Sequence, residues 1–402
     1  MAAVQWRILE IGGLALILVL AAWLNIWEIS KNGYGNTYYA VAVQSMLRDW
    51  HNFFFAAYDA GGFITVDKPA LGLWIQTASA WLFGFNGFSL VLPEVLAGLG
   101  TVAIIYHLAR KYFGSVAGLT AALAMAITPI AVAIFRSNNL DALLTFALTL
   151  AAWAMLRAAE TGRLWQLSLA VALVGLGFNI KMLEAFIVLP AFYLLYFLMA
   201  RVSWPRRILH LTLATAVLAV VSFSWAAIVD LTPAASRPWV GGSQTNSEFD
   251  LIFNYNGLGR VTGAGEGFGG RGGFGNPFSS GTPGITRLFG NDLADQWSWL
   301  FPLLAIGVVA AIWVNRKRLR DSRSRYLLLF GGWFVTNALV FSFAQGIFHT
   351  YYLVLLGPPV AALAGAGISS LWSTFSRGHW SVRLLLPLAL VLTGIWQLHV
   401  LQ

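Results

Sequence analysis

Apolar runs of about 20 residues, the length an α-helix needs to cross a bilayer core, recur along this chain from end to end. Eleven are read as spans: 8–27, 88–109, 115–134, 141–157, 164–180, 183–200, 208–229, 298–314, 327–344, 350–371 and 384–400. They predict an all-α polytopic membrane protein, one integral domain over 1–402, ending just after its last span without a soluble C-terminal domain. The first run follows only Arg7 and lacks a small-x-small cleavage site, so it reads as a retained span rather than a signal peptide.

Two segments between spans are too long to be connectors. In 28–87, Tyr39, Val43, Met46, Leu47 and Trp50 recur at helical spacing. A second stripe holds Leu71, Trp74, Ile75, Ala78, Trp81, Leu82 and Phe85, with Gln76, Thr77 and Ser79 opposite. Both predict amphipathic helices in the membrane interface. The alternative, in which 69–84 crosses, is disfavoured by that polar face and by Pro69 at its start. The second segment, 230–297, contains ten glycines among residues 257–276. Gly265, Gly267 and Gly270 match G-x-G-x-x-G, but no strand precedes them, so a lid or unstructured loop is the better account.

Composition supports the membrane reading: 58% of residues are hydrophobic and 10% charged, with a mean hydropathy of +0.71. Cysteine is absent, which removes disulfides and thiolate metal sites. The net charge of +9 might suggest nucleic acid, but its distribution excludes that reading. With the N-terminus inside, 16 of the 25 Lys and Arg fall on the cytoplasmic side, while only Glu10, Glu160 and Asp321 of the 16 acids do. That bias is topological. It leaves a net acidic outer face, where chemistry should be sought.

Four polar clusters lie on that face. FFFAAYDAGGFITVDKPALGLW (Phe53–Trp74) brings Asp59, Asp67 and Lys68 into an apolar setting, where an unpaired carboxylate is costly. Asp67 and Lys68 could equally form a local ion pair at a helix start. FRSNNLDALLTF (Phe135–Phe146) holds Arg136, Ser137, Asn138, Asn139 and Asp141; helix capping explains part of it, but not Arg136. NIKMLE (Asn179–Glu184) offers Lys181 and Glu184, as a structural pair or a phosphate contact. GIFHTYY (Gly346–Tyr352) reads by itself as an interfacial belt. No metal-ligand spacing exists; a divalent cation held by outer carboxylates is possible. Together these groups suit an anionic, lipid-linked substrate, with cations on a phosphate and an acid deprotonating a hydroxyl.

The runs NTYYAVAVQSM, WHNFFFAAYDAGGFITVDKPALGLW, RSNNLDALLTF, GFNIKMLEAF, RPWVGGSQTNS, YNGLGR and GIFHTYYLV resemble bacterial family 39 membrane glycosyltransferases. These are relatives of protein O-mannosyltransferases and of the lipid A aminoarabinose transferase, and the likeness covers Gly33 to about Gly367. The resemblance implies a GT-C fold and a polyprenyl-phosphate-linked sugar donor. It implies inverting transfer on the outer face of a bacterial plasma membrane, to a glycolipid, wall polymer or protein. Asp67-Lys68-Pro69 matches the family's acidic-Lys-Pro motif, Asp141 its second outer-loop acid, and Lys181 its lysine at a helix end. His349, Tyr351 and Tyr352 match a late outer-face motif. The family's Asp-Glu pair before the Tyr-Ala helix is replaced here by Gly35 and Asn36.

The expected site therefore has Asp59 or Asp67 as base and Asp141 orienting sugar or acceptor. Lys68, Arg136, Asn138, Asn139, Lys181, Arg260, His349, Tyr351 and Tyr352 are expected around donor phosphate and sugar. A lipid-sugar flippase and an inactive lipid-binding relative are the alternatives; the first should carry charges mid-membrane in two related halves, and this chain does not.

Overall fold

The computed structural model describes residues 2–262, 280–290, 292–316, 321–377 and 380–402. Fifteen helices carry the architecture among them. They are α1 (Ala2–Ile26), α2 (Thr37–Met46), α3 (Trp50–Phe55), α4 (Ala70–Phe83), α5 (Gly87–Phe113), α6 (Ser115–Ile127), α7 (Pro129–Phe135) and α8 (Asp141–Thr161). The rest are α9 (Leu164–Lys181), α10 (Leu189–Met199), α11 (Trp204–Leu231), α12 (Phe301–Asn315), α13 (Ser322–Phe343), α14 (Gly357–Arg377) and α15 (Leu385–Val400). The only β-pairing among the described residues is two isolated bridges, Ala57 with Thr65 and Ile64 with Trp239.

Every one of the eleven expected spans falls on helix, but the count does not carry over. Seven segments are long and apolar enough to cross a bilayer, eight if α6 and α7, bent by 63° at Thr128, form one span. Helices α12 and α15 are shorter. The 36 residues of Leu164–Met199 do not run straight. Arg201 N–H donates to the Ala159 carbonyl at 3.3 Å, so the chain after α10 returns to where α8 ended. The turn is at Met182, a non-glycine residue at φ 54°, followed by a 3-10 stretch over Met182–Val188.

One end of the bundle is basic, as the charge pattern demands. There Arg110 pairs with Glu10, Lys111 with Glu160 at 2.6 Å, and Arg323 donates to the Tyr112 carbonyl. The opposite end gathers the two long segments and the polar clusters. The core between them is built mostly from alanine and leucine of α5, α6, α8, α9 and α14.

Helix α4 departs from expectation. Its polar residues Gln76, Thr77 and Ser79 face inward and are buried, whereas Trp81, Leu82 and Phe83 are exposed. The cause is local: Gln76 donates to Glu94 at 2.8 Å and to the Asn138 carbonyl at 2.9 Å, and Ser79 to the Ser89 carbonyl. The apolar side is then free for lipid. α4 leans on its neighbours by hydrogen bonds, which in an apolar medium replace water as the partner of each polar group.

Small residues set how closely helices approach, since van der Waals packing rather than hydrophobic expulsion holds helices together in lipid. At the α12–α14 crossing, a Cβ on Gly307 would lie 2.6 Å from the Gly367 Cα. Gly307→Val should therefore destabilise by about 1–3 kcal/mol, seen as a lower melting temperature in detergent. Gly331→Ala, where a Cβ meets nothing within 4 Å, should leave it unchanged.

Candidate functional site: two buried lysines on an apolar cavity

The first-loop segment that carries Asp67 is shaped by Asp59. Asp59 Oδ1 accepts from Gly61 N–H, and Oδ2 from the N–H groups of Phe63 and Ile64, all at 2.9 Å. Both carboxylate oxygens are thus committed to the backbone. Asp59, one of the two carboxylates expected as base, clamps the turn in this arrangement. Beyond it, Thr65 N–H donates to Trp239 and Trp239 N–H to Phe63. Gly241 N–H reaches Thr65 Oγ1 at 2.9 Å, and any Cβ at Gly241 would stand 2.2 Å from the Thr65 carbonyl. Only glycine permits that approach. Gly242, at φ 83°, packs against the Asp67 Cβ, so the GGSQTNS motif is a backing plate for ITVDKP.

Asp67 then pairs with Lys68 at 2.7 Å, and Asp67 N–H donates to the Tyr38 hydroxyl at 3.0 Å. Asn256, from the NYNGLGR motif, donates to the Asp67 carbonyl at 2.9 Å and accepts from Lys68 at 3.3 Å. Lys68 is 8% exposed. Burial, with the neighbouring Asp67 carboxylate, pushes the Tyr38 phenol well above its usual range. Tyr39 is pushed up in the same way by burial and by both Asp67 and Asp141, so both phenols stay neutral donors.

Asp141 opens α8 and is buried. It pairs with Lys181, the last residue of α9, which also pairs with Glu184 at 3.0 Å. Lys181 lies 4.8 Å from the Tyr351 ring centre and 4.3 Å from that of Tyr352, within cation–π range. His349 stacks on Tyr351 at 4.7 Å. The two lysines open on one cavity of about 420 Å³, whose polar lining is Lys68, Lys181, Glu184, Asn256 and Tyr352. Its walls are apolar: Leu183, Ile187, Phe253, Val340, Phe341, Ala344, Ile347 and Phe348. Arg287 fixes part of that wall, donating to the Phe341 and Ala344 carbonyls and lying 4.2 Å from the Phe348 ring centre.

The RSNNLD cluster divides. Arg136, expected at the phosphate, donates to the Trp27 carbonyl at 2.6 Å and is not among the cavity residues. Asn138 and Asn139, expected around the donor, grip the first loop: Asn138 accepts from Asn36 N–H at 2.7 Å and donates to its carbonyl at 3.0 Å. Asn139 accepts from the Asn36 side chain. Gly35, at φ 66°, has Asn138 Oδ1 2.5 Å from where a Cβ would sit. A side chain at 35 would need a strained backbone and a shift of Asn138. The Arg260 side chain lies outside the described residues, and those residues hold no group of three metal-capable side chains.

Sequence reading left Glu184 and Asn256 out of the site, although Glu184 is three residues from Lys181 and Asn256 sits inside a quoted motif. It also passed over Glu94, buried in α5, which accepts from Gln76 and from Leu143 N–H at 3.2 Å. A carboxylate of α5 thereby caps the first turn of α8 and steadies Asp141.

What these features define is a many-helix membrane protein with an anion-ready, apolar-walled pocket at one end. Its relatives agree. Residues 67–225 match the dolichyl-phosphate-mannose-protein mannosyltransferase family. A putative mannosyltransferase of Bacillus subtilis, YycA, is 39% identical over 97% of this chain and 68% of its own. ArnT from Cupriavidus metallidurans, solved bound to undecaprenyl phosphate, superimposes with TM-score 0.60 at 18% identity, over 93% of this chain and 63% of that one. The Archaeoglobus fulgidus oligosaccharyltransferase gives 0.61 at 16%, over 96% and 55%. The chain belongs to the GT-C family of membrane glycosyltransferases.

Glu248 lies behind the backing plate and supplies a pH test of it. It is fully buried, and neither carboxylate oxygen has a hydrogen-bond partner. Burial, then the nearby Asp230 carboxylate, raise it from 4.5 to about 8. The folded protein therefore holds one more proton than the unfolded chain between about pH 4.5 and 8. Stability due to this group is full below that window and falls as pH rises through it, by at most about 1.4 kcal/mol per pH unit. Glu248→Gln should flatten that part of the profile, and melting temperatures at pH 5 and pH 8.5 should differ less in the variant than in the parent.

Proposed function

We propose that the protein is a glycosyltransferase that takes a sugar from a polyprenyl-phosphate donor and passes it to an acceptor on the outer face of the plasma membrane. The acceptor is a glycolipid, wall polymer or protein. The observation that carries this reading is that two buried lysines from distant segments, Lys68 and Lys181, open on one cavity whose wall is otherwise mostly hydrocarbon. A phosphate wants the cations and a polyprenyl chain wants the wall. The ArnT structure, which holds undecaprenyl phosphate, supports that assignment. The concentration of basic residues at the other end of the bundle supports an outer site, since cytoplasmic loops carry the excess Lys and Arg.

Asp67 is the base in this reading. The donor phosphate draws Lys68 toward itself, and Asp67, 2.7 Å from that ammonium in the present arrangement, becomes the proton acceptor. The acceptor hydroxyl attacks the anomeric carbon from the face opposite the phosphate, which inverts the configuration. Its proton passes to an Asp67 carboxylate oxygen while the bond from the anomeric carbon to the phosphate oxygen breaks. The electron pair stays on the polyprenyl phosphate, where the two ammonium groups stabilise it. Asp141 holds Lys181 in place for that task, and His349, Tyr351 and Tyr352 close the site over it. The two lysines supply positive charge to the phosphate.

Transfer from a labelled lipid-linked sugar by the purified protein tests this. Asp67→Asn should lower the rate by about 10²–10⁴, the usual contribution of general-base catalysis, with donor binding retained. Asp59→Asn should keep at least a tenth of the activity, because its carboxylate serves the turn. Full transfer by Asp67→Asn removes the base assignment, and intact lipid-sugar moved across vesicles without release of polyprenyl phosphate replaces the transferase with a flippase.

A further inference from the structure

Lys181 is occupied before any donor arrives. Two carboxylates already share it, Asp141 and Glu184, so an incoming phosphate competes with them for its charge. The two are not equally held. Asp141 stands in the first turn of α8, where the positive end of the helix favours an anion, and its helix start is fastened by Glu94. Glu184 stands in the 3-10 stretch after the Met182 turn. One of its oxygens touches Lys181 at 3.0 Å. The other is buried without a hydrogen-bond partner, though Glu184 lines the cavity beside Lys68 and Lys181.

An unsatisfied buried carboxylate oxygen is expensive, and a second anion alongside makes it more so. The charged and titratable groups around Glu184 are Lys181 and Lys68, which hold its charge, and Asp141, which opposes it. Tyr351 and Tyr352 close over the same lysine, with His349 behind Tyr351. When a phosphate enters and takes a share of both lysines, the group that loses most is Glu184.

We infer that Glu184 is a further donor-binding residue, which takes one proton from solvent as the phosphodiester enters, releases Lys181 to it, and presents the new O–H to a phosphate oxygen. The oxygen of Glu184 that lacks a hydrogen-bond partner thereby gains one. Donor binding and proton uptake are then one event, and the proton returns to solvent when polyprenyl phosphate departs. This rests on the donor-site reading above.

The test uses the full chain in nanodiscs and methyl undecaprenyl phosphate, a phosphodiester whose own charge is constant from pH 6 to pH 9. Wild-type affinity should weaken toward alkaline pH, by up to tenfold per unit for one linked proton. Calorimetry in two buffers of different protonation enthalpy should show uptake of about one proton at the alkaline end of that range. Glu184→Gln, which keeps a donor but cannot titrate, should bind with no pH slope, take up no proton, and bind at least tenfold tighter than wild type at pH 9. A merely structural lesion would weaken binding instead. His349→Gln should retain the wild-type slope whatever its own affinity. A slope unchanged in Glu184→Gln, absent in wild type, or lost with His349 instead overturns the inference while leaving the donor site standing. No binding by wild type at any pH overturns both.

Discussion

The arrangement turns on one buried ammonium group, that of Lys181. A lysine 6% exposed at the edge of a hydrocarbon core is tolerable only if anions or π-faces surround it. Here the surroundings come from three places in the chain: Asp141 at the start of α8, Glu184 after the Met182 turn, and Tyr351 and Tyr352 from the 3-10 stretch Thr350–Leu356. Each of those elements is irregular where it meets the lysine. The α9–α10 hairpin turns there through a left-handed residue, and the entry to α14 is 3-10 rather than α. Satisfying one charge explains why regular spans end where they do.

A second set of contacts holds the first loop in place beside that charge. Asp59 clamps its turn, Asn138 and Asn139 grip Asn36, and Arg136 ties Trp27 and Asn32 to the α7–α8 junction through its guanidinium and its carbonyl. These groups are polar and lie beside the site, and apart from the Asn139–Asn36 side-chain contact these bonds are to backbone atoms. An active pocket needs such a frame, because Asp67 and Lys68 come from a loop and Lys181 from a helix end. Without fixed loops the two ammonium groups would not face one cavity.

This division limits what the sequence could reveal. Helix positions were legible because apolar runs are long and continuous, and the basic end because cations cluster there. Asp67, Lys68, Asp141 and Lys181 were legible as polar groups in an apolar setting, and the His-Tyr-Tyr run only through the family resemblance. Their partners were not. Arg136 is as polar and as isolated as Lys181, and only its contact with a carbonyl 109 residues away separates frame from site. The inward face of α4 was misread for a related reason. In soluble proteins a polar stripe seeks water, whereas Gln76 and Ser79 have lipid on the far side and protein on the near one.

The Gly35-Asn36 pair shows how a frame can displace chemistry. A longer side chain at 35 would crowd Asn138, whose oxygen lies 2.5 Å from the Cβ position and whose amide group bonds both the N–H and the carbonyl of Asn36. The clasp fixes α2 by its N-cap, since the Asn36 side chain accepts from Tyr38 N–H. It thereby fixes Tyr38, whose hydroxyl receives the Asp67 N–H. The residue that replaces an acid therefore helps to position another one. Among the described residues, Asp67, Asp141 and Glu184 are the carboxylates gathered around the two lysines, and two of them already share Lys181. Asp67 stands apart from that pair: its side chain is more exposed than that of its partner Lys68, and Gly242 packs against its Cβ.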